Sequence, residues 1–167
     1  MEYRKATMED LAEIHALVQD VIAALQKNGN YQWDERYPRD EDFLPDIESE
    51  TQYVGIVDGR IGMIFAVNTE CDAQYHDGAW RYPDENWTVL HRFIFHPSLW
   101  GQGLSRKALS DIIEMLKADG IESIHLDVYR ENRPAQGLYR SFGFEEVGVA
   151  WFRDKAFDLM ELSLVRS

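Results

Sequence analysis

The chain has 167 residues, 45% of them hydrophobic, and a formal net charge of −13 at pH 7. This length is enough for one hydrophobic core and too short for two ordinary domains, so we expect one domain over residues 1–167. The charge argues against a nucleic acid partner, and the lack of a long apolar segment or a leader-like start predicts a soluble protein that does not enter a membrane. The single cysteine, Cys71, favours a reducing cytoplasm.

The first half of the chain begins with a predicted amphipathic helix. Apolar residues recur at helical spacing over 11–25 and stop before Asn28-Gly29. Residues 28–49 then mix aromatic, acidic and proline residues without a clear period, which predicts a long loop with one short helix. Loops of this length are often functional. Trp33 and Tyr37 therefore either line a substrate pocket or cover the core.

A β-hairpin and a central strand follow. The β-prone segments 51–57 and 60–67 flank Asp58-Gly59, which is the two-residue signal of a tight hairpin. Residues 68–86 form a second long connection that is polar and aromatic in composition. Residues 87–96 (WTVLHRFIFH) are apolar on both faces over much of their length, as is expected of a strand in the centre of a sheet.

The second half of the chain alternates between helices and strands. Apolar residues form one helical stripe over 104–116, and a strand follows at 123–128. The strands on either side of this helix should therefore be parallel and joined by a right-handed crossover. A shorter helix comes next, with Pro134 in its first turn. The strand-like segments 143–152 and 157–165 close the chain, which predicts a mixed sheet covered by helices.

The junction between the central strand and the next helix has an unusual composition. Its sequence, HPSLWGQGLSRKAL (residues 96–109), contains Gly101 and Gly103 where a simple turn would suffice. Glycines allow a tight turn that exposes consecutive N–H groups at a helix start, which is a geometry that binds an anion such as a diphosphate. A plain tight turn is the alternative, because the segment has neither the lysine of a P-loop nor GxGxxG spacing.

A second polar pattern lies on the later helix. Asn132, Ala135 and Tyr139 are spaced i, i+3 and i+7, so they share one face of this helix. An amide and a phenol on that face could line a crevice between the parallel strands, whereas a buried structural tyrosine is the alternative.

Together the two patterns resemble the GCN5-related N-acetyltransferase (GNAT) superfamily. The family's N-x-x-A-x-x-L-Y-x-x-x-G-F stretch is matched by Asn132, Ala135, Leu138, Tyr139, Gly143 and Phe144. In its Q/R-x-x-G-x-G/A loop, Gly103 matches and Gly101 fits the common R-G-x-G variant, whereas Trp100 replaces Gln or Arg and Ser105 replaces the last small residue. The resemblance implies an α/β (α+β) fold with a mixed, mostly antiparallel sheet, whose central parallel strand pair is splayed apart and which is flanked by helices.

The resemblance also implies acetyl-CoA as the cofactor. Backbone groups of Phe93, Ile94 and Phe95 would pair with the pantetheine arm and the thioester carbonyl, and Asn132 would meet the same arm or a bound water. The diphosphate would lie on the segment formed by Trp100, Gly101, Gln102, Gly103, Leu104, Ser105 and Arg106. Tyr139 would point at the sulfur, where a phenol of ordinary pKa, about 10, can protonate the departing thiolate.

The acceptor and the general base are less closely defined. A primary amine must lose a proton before it attacks the thioester directly, through a tetrahedral intermediate, and Glu85 or His91 could accept that proton. A solvated loop Glu85 and a hydrogen-bonded core His91 are the structural alternatives. The acidic, aromatic loops favour a cationic acceptor, either a small molecule or a protein amine, although the acidity can also serve solubility alone.

The sequence also fits a second functional class. A non-catalytic acyl-CoA-binding sensor or regulatory module would use the same grip on the cofactor without turnover. Tyr139 favours the enzyme, because a pure binder needs no proton donor at the sulfur. The single Cys71 and the scattered histidines predict neither a disulfide nor a metal site. Edge strands are compatible with a homodimer, which no feature of the sequence demands.

Overall fold

The structure is a computed structural model that describes residues 1–166. In this range the chain forms seven strands: β1 (Glu2–Lys5), β2 (Gln52–Val57), β3 (Arg60–Asn68), β4 (Trp87–Phe95), β5 (Ser123–Tyr129), β6 (Glu145–Phe152) and β7 (Lys155–Ser163). The helices are α1 (Leu11–Lys27), α2 (Asp40–Glu48), α3 (Leu104–Ala118) and α4 (Arg133–Ser141). Short 3₁₀ turns lie at Met8–Asp10, Ala73–Asp77 and Pro97–Leu99.

The strands form one mixed sheet in the order β1-β2-β3-β4-β5-β7-β6. β4 and β5 run parallel, whereas β2 pairs antiparallel with β1 and β3, and β7 pairs antiparallel with β5 and β6. The parallel register covers Trp87↔Ser123 to Val89↔His125, although β5 itself continues to Tyr129. This is the mostly antiparallel sheet with one central parallel pair that the sequence predicts, so the expected fold class is confirmed.

The first compact unit comprises Met1–Val67 and Arg92–Ser105. Its hairpin turns at Asp58 and Gly59, whose φ angles of 51° and 77° are the left-handed values that a tight two-residue turn needs. The apolar stripe of α1 packs into one core with α2, with the β2–β3 hairpin and with the loop between α1 and α2. This core contains Ala6, Ile14, Leu17, Val18, Val21, Ile22, Trp33, Phe43, Ile47, Val54, Ile61 and Ile64.

Strand β1 is not predicted from the sequence, which predicts a helix as the first element. The strand has four residues, EYRK, and pairs with β2 from Glu2↔Ile56 to Lys5↔Tyr53. It forms an edge of the sheet and is mostly exposed, so it shows no alternation of buried and exposed side chains. Without that alternation the strand carries no periodic signal in the sequence.

The second compact unit comprises Asn68–His91 and the residues from Arg106 onward. β7 lies between β5 and β6, and its pairing with β5 runs from Ser123↔Ser163 to Tyr129↔Phe157. One core joins these strands to the long connection after β3. It contains Tyr75, Val89, Tyr129, Val147, Ala150, Phe152, Phe157 and Leu159.

Helix α4 begins and ends where its sequence predicts. The Asn132 side-chain oxygen accepts a hydrogen bond from the Ala135 N–H at 3.3 Å, which makes Asn132 the N-cap. Pro134 lies in the first turn, where its missing N–H costs no intrahelical bond. Gly143, with φ of 98°, follows the last turn in a conformation that favours glycine.

Candidate active site

The glycine junction connects β4 to α3 through exposed, left-handed backbone. Gly101 and Gly103 have φ angles of 78° and 75°, and both are exposed. A Cβ added at either glycine would meet no atom within 4 Å. The glycines are therefore required by their backbone conformation and not by a lack of space.

The first turn of α3 offers backbone donors beside these glycines. Helix α3 begins at Leu104, and the first four N–H groups of an α-helix have no acceptor within the helix. Leu104 and Ser105 are partly exposed and Arg106 is exposed, so this end of the helix is open to a ligand. The helix dipole adds a positive potential at the same place, which suits an anion.

The longer side chains of this segment are engaged by other groups. The Trp100 indole N–H donates to the Phe95 carbonyl at 2.9 Å, and the Gln102 amide donates to the Ser98 carbonyl at 3.2 Å. The Arg106 guanidinium donates to the Ser141 hydroxyl at 3.0 Å. The Trp100 backbone N–H also donates, to the Pro97 carbonyl at 3.1 Å. The backbone N–H groups from Gly101 onward are therefore the candidate donors for an anion.

Strand β4 departs from regular geometry at Arg92. This residue has φ of 44°, inside a strand whose other residues are extended, and its side chain is only 9% exposed. Its guanidinium pairs with Asp46, donates to the Tyr37 hydroxyl at 3.0 Å and lies 4.9 Å from the Phe43 ring centroid. A residue other than glycine keeps a left-handed backbone conformation only where the surrounding structure stabilises it. These contacts supply that support immediately before Phe93, Ile94 and Phe95.

Tyr139 is buried on α4, with 8% of the residue exposed. Its ring packs edge-on against Phe144, with centroids 5.5 Å apart. Burial, and secondly the negative charge of Asp127, raise the pKa of the Tyr139 hydroxyl well above its ordinary value. The ordinary phenol pKa assumed from the sequence is thus wrong for this environment, and Tyr139 remains a protonated hydrogen-bond donor at neutral pH.

Asp127 is a candidate that the sequence analysis does not identify. It lies in β5, and its charge acts on Tyr139. The Tyr75 hydroxyl, from the 3₁₀ turn at Ala73–Asp77, donates to Asp127 Oδ2 at 2.7 Å. A carboxylate between Leu126 and Val128 in the strand SIHLDVY is the sequence signal that could have identified it, because aspartate is depleted in strands.

Of the two predicted bases, Glu85 has a carboxylate that is already held by other groups. Its side chain is 8% exposed, so the alternative of a solvated loop acid is wrong. One carboxylate oxygen, Oε2, accepts from the Ser163 hydroxyl at 3.3 Å and pairs with the Arg166 Nε at 3.2 Å. A structural ion pair fits these contacts, and a catalytic role for Glu85 remains a prediction.

His91 also has a hydrogen-bond partner. Its Nε2 lies 2.8 Å from the side-chain oxygen of Asn68, which also accepts from the Glu70 backbone N–H at 3.1 Å. Because that oxygen can only accept, Nε2 carries the proton in this bond. His91 thus has the hydrogen bond of the core-histidine alternative, and its role as a base remains a prediction.

Trp33 and Tyr37 lie together in the first compact unit. Trp33 is buried in the core, and its ring contacts Tyr37 edge-on, with centroids 6.4 Å apart. The Tyr37 hydroxyl accepts from Arg92. These contacts favour the core-covering alternative for Trp33, and substrate contact by either residue remains a prediction.

Two further properties concern residues 1–166 alone. Within this range, no three or more histidine, cysteine, aspartate or glutamate side chains are grouped so that they could hold a metal ion. Over the same residues, no helix combines the length and apolar character needed to cross a membrane.

Comparison with known sequences identifies relatives of this chain. The model of the acetyltransferase (GNAT) family matches residues 10–144. Over 61 residues, the chain is 38% identical to a [ribosomal protein bS18]-alanine N-acetyltransferase from Haemophilus ducreyi. This match covers 36% of the chain and 42% of that enzyme, so it spans less than half of either protein.

Solved structures of acetyltransferases share the fold over almost the whole length of the chain. A GNAT-family acetyltransferase from Streptococcus agalactiae 2603 aligns with a TM-score of 0.85 and 24% identity, covering 99% of this chain and 96% of that one. The ribosomal-protein-S18-alanine N-acetyltransferase from Escherichia coli aligns with a TM-score of 0.71 and 17% identity, covering 99% and 95%. At these identities the likeness is one of fold. Because the family model also matches most of the sequence, the chain belongs to the GNAT family of acetyltransferases.

Proposed function

We propose that this chain transfers the acetyl group of acetyl-CoA to a primary amine. The observation that carries the proposal is the glycine junction, where two exposed left-handed glycines precede the open first turn of α3. These donors fit a diphosphate, because they are consecutive backbone N–H groups at the positive end of a 15-residue helix. Membership of the acetyltransferase family supports the same choice of cofactor.

Three parts of the chain would hold the cofactor. The amides of residues 100–106 would bind the diphosphate. Backbone groups of Phe93, Ile94 and Phe95 would pair with the pantetheine arm and the thioester carbonyl, and the left-handed Arg92 supports this role because it breaks the regular strand just before them. Asn132 would meet the same arm, directly or through water, while it caps α4.

Two side chains would handle the protons of the reaction. Acetyl-CoA supplies an activated acetyl group and leaves as the CoA thiol. Tyr139 would donate the proton that the departing sulfur needs, because its hydroxyl carries a proton at neutral pH. The Asp127 carboxylate would accept the proton of the amine.

Asp127 is preferred to the two bases predicted from sequence. Its charge acts on Tyr139, so the proposed acid and base influence one another. Glu85 is instead paired with Arg166, and His91 bonds to Asn68 through Nε2. We retain Glu85 and His91 as alternatives that substitution can test.

The acceptor would be a cationic primary amine, either a small molecule or the terminal amine of a protein. The net charge of −13 supports a positively charged acceptor. The name of the Haemophilus ducreyi relative, a ribosomal-protein-alanine N-acetyltransferase, supports a protein amine. We also propose that the chain acts as one domain in the cytoplasm, without a nucleic acid or membrane partner.

A panel of amines incubated with acetyl-CoA tests this function. We expect free CoA thiol and an acetylated amine, identified by mass spectrometry, with at least one member of the panel. Calorimetric titration of CoA into the same protein measures binding separately. Tight binding without any turnover would contradict the enzyme and identify an acyl-CoA sensor, and a failure to bind CoA would contradict both.

A further inference from the structure

The second compact unit contains a hydrogen bond between two residues that are 52 positions apart in the chain. The Tyr75 hydroxyl donates to Asp127 Oδ2 at 2.7 Å, and Tyr75 is 5% exposed. The bond is partly buried, and a hydrogen bond from a neutral donor to a carboxylate both orients the acceptor and favours its ionised form. On the basis of the proposed function, we infer that Tyr75 is a positioning residue that holds the Asp127 carboxylate ready to take the proton of the amine.

Tyr75 is itself fixed by a stack of rings. Its ring lies against Trp80 with centroids 5.7 Å apart, and the Trp80 indole N–H donates to the Tyr75 carbonyl at 2.8 Å. Trp80 stacks on His125 at 3.9 Å, and His125 stacks on Trp87 at 4.8 Å. Since His125 and Asp127 lie on the same face of β5, the stack ties Tyr75 to the strand that carries its acceptor.

Backbone bonds hold the connection that carries Tyr75. The Ala79 N–H donates to the Val147 carbonyl at 2.7 Å. The Arg81 N–H donates to the buried Glu161 carboxylate at 2.7 Å, and the Tyr82 N–H donates to the same carboxylate at 3.3 Å. The hydroxyl of Tyr75 therefore projects from a segment that is anchored by hydrogen bonds, as a group that orients another requires.

Besides Tyr75, other titratable groups lie near Asp127. The charge of Asp127 acts on Tyr139 of α4, whose phenol is neutral at pH 7. On β5, the same-face neighbours are Tyr129 and His125, and burial lowers the pKa of His125 to about 4, so that ring is neutral. Across the strand pair, β7 places the apolar Leu159 opposite Asp127.

Loss of the Tyr75 hydroxyl should change the pH dependence of the reaction in a known direction. A base must be ionised to work, and the donated hydrogen bond stabilises its ionised form. Tyr75→Phe should therefore move the acid limb of the kcat/KM profile to higher pH, by about one to two units. The KM for acetyl-CoA should stay within about twofold of wild type, because Tyr75 has no proposed contact with the cofactor.

Tyr129→Phe is the matched control. Tyr129 is also a buried tyrosine of this unit whose hydroxyl bonds to a carboxylate, that of Glu131. This variant should keep the wild-type limb. Replacing Tyr75 by 3-fluorotyrosine retains the hydroxyl and makes it a stronger donor, so it should move the limb to lower pH even if Tyr75→Phe fails to fold.

The experiment combines pH–rate profiles with ¹³C NMR titration of the aspartate carboxyls in the protein without ligand, where Asp127→Asn assigns the Asp127 signal. We expect Tyr75→Phe to move both the NMR midpoint of Asp127 and the kinetic limb upward. The positioning role would be overturned if the NMR midpoint of Asp127 did not move in Tyr75→Phe. It would also be overturned if that midpoint moved while the acid limb of the kcat/KM profile did not. If the wild type acetylates no amine, the proposed function fails, and the NMR midpoint still decides whether Tyr75 controls Asp127.

Discussion

The buried ion pair between Arg92 and Asp46 provides the sharpest test of how the first compact unit is held together. Their side chains are 9% and 13% exposed, so each charge is largely removed from water. Asp46→Ala would leave the guanidinium buried beside the Phe43 ring without its counter-charge. Removing one member of a buried pair costs about 3–5 kcal/mol. For a chain of this size, that cost corresponds to a fall of roughly 6–20 °C in Tm.

Thermal and urea unfolding of wild type and Asp46→Ala measure this cost. Glu114→Ala is the control, since Glu114 pairs with Lys117 on the surface of α3 with side chains 73% and 47% exposed. That change should alter the free energy of unfolding by less than about 1 kcal/mol. The double variant Arg92→Leu, Asp46→Leu should recover most of the lost stability, because it removes both buried charges. An Asp46→Ala protein as stable as the control would refute the reasoning.

Three other predictions concern the junction, the acid and one buried histidine. Gly103→Ala should weaken CoA binding in calorimetry, because alanine disfavours a φ of 75° by about 1–2 kcal/mol and would shift the backbone that presents the N–H donors. Gly29→Ala, at a φ of 81° outside the junction segment, should destabilise the fold similarly without weakening binding. Tyr139→Phe should lower the rate of thiol release by about 10²–10⁴-fold with CoA affinity within about twofold of wild type, and equal rates would remove Tyr139 from the mechanism. Burial lowers the pKa of His125 to about 4 in the folded chain. Its Nε2 lies 3.3 Å from the Glu161 carboxylate but forms no hydrogen bond with it, so the carboxylate does not offset the effect of burial. In the unfolded chain this histidine has its ordinary pKa of about 6.5, so the unfolded state binds more protons than the folded state between about pH 6.5 and pH 4. The free energy of unfolding should therefore fall by about 2–3 kcal/mol as the pH is lowered over that range, and His125→Phe should reduce the fall.

Local signals made much of the fold predictable from sequence. Asp58-Gly59 predicts its hairpin because the turn depends on the conformation of those two residues alone. Pro134 and Gly143 mark α4 for the same reason, since each acts on the backbone at its own position. The cofactor segment could be proposed from sequence because its glycines and the first turn of α3 are adjacent in the chain.

The rest of the candidate site depends on contacts between distant residues. Tyr75 and Asp127 are 52 positions apart, and neither sequence neighbourhood reveals the other. The left-handed backbone at Arg92 depends on Asp46 and Tyr37, which belong to other elements. The pKa of Tyr139 is likewise set by burial and by Asp127, so its ordinary value could not hold once the chain folds.

Acetyl transfer from acetyl-CoA to a primary amine is tested most directly by one measurement, which counts thiol released and acetyl groups gained in the same reaction. With wild-type protein and a reactive amine, we predict equal amounts of free CoA and acetylated amine, both strongly reduced in Tyr139→Phe. Thiol release without acetylated amine, or no consumption of acetyl-CoA with any primary amine, would contradict the account.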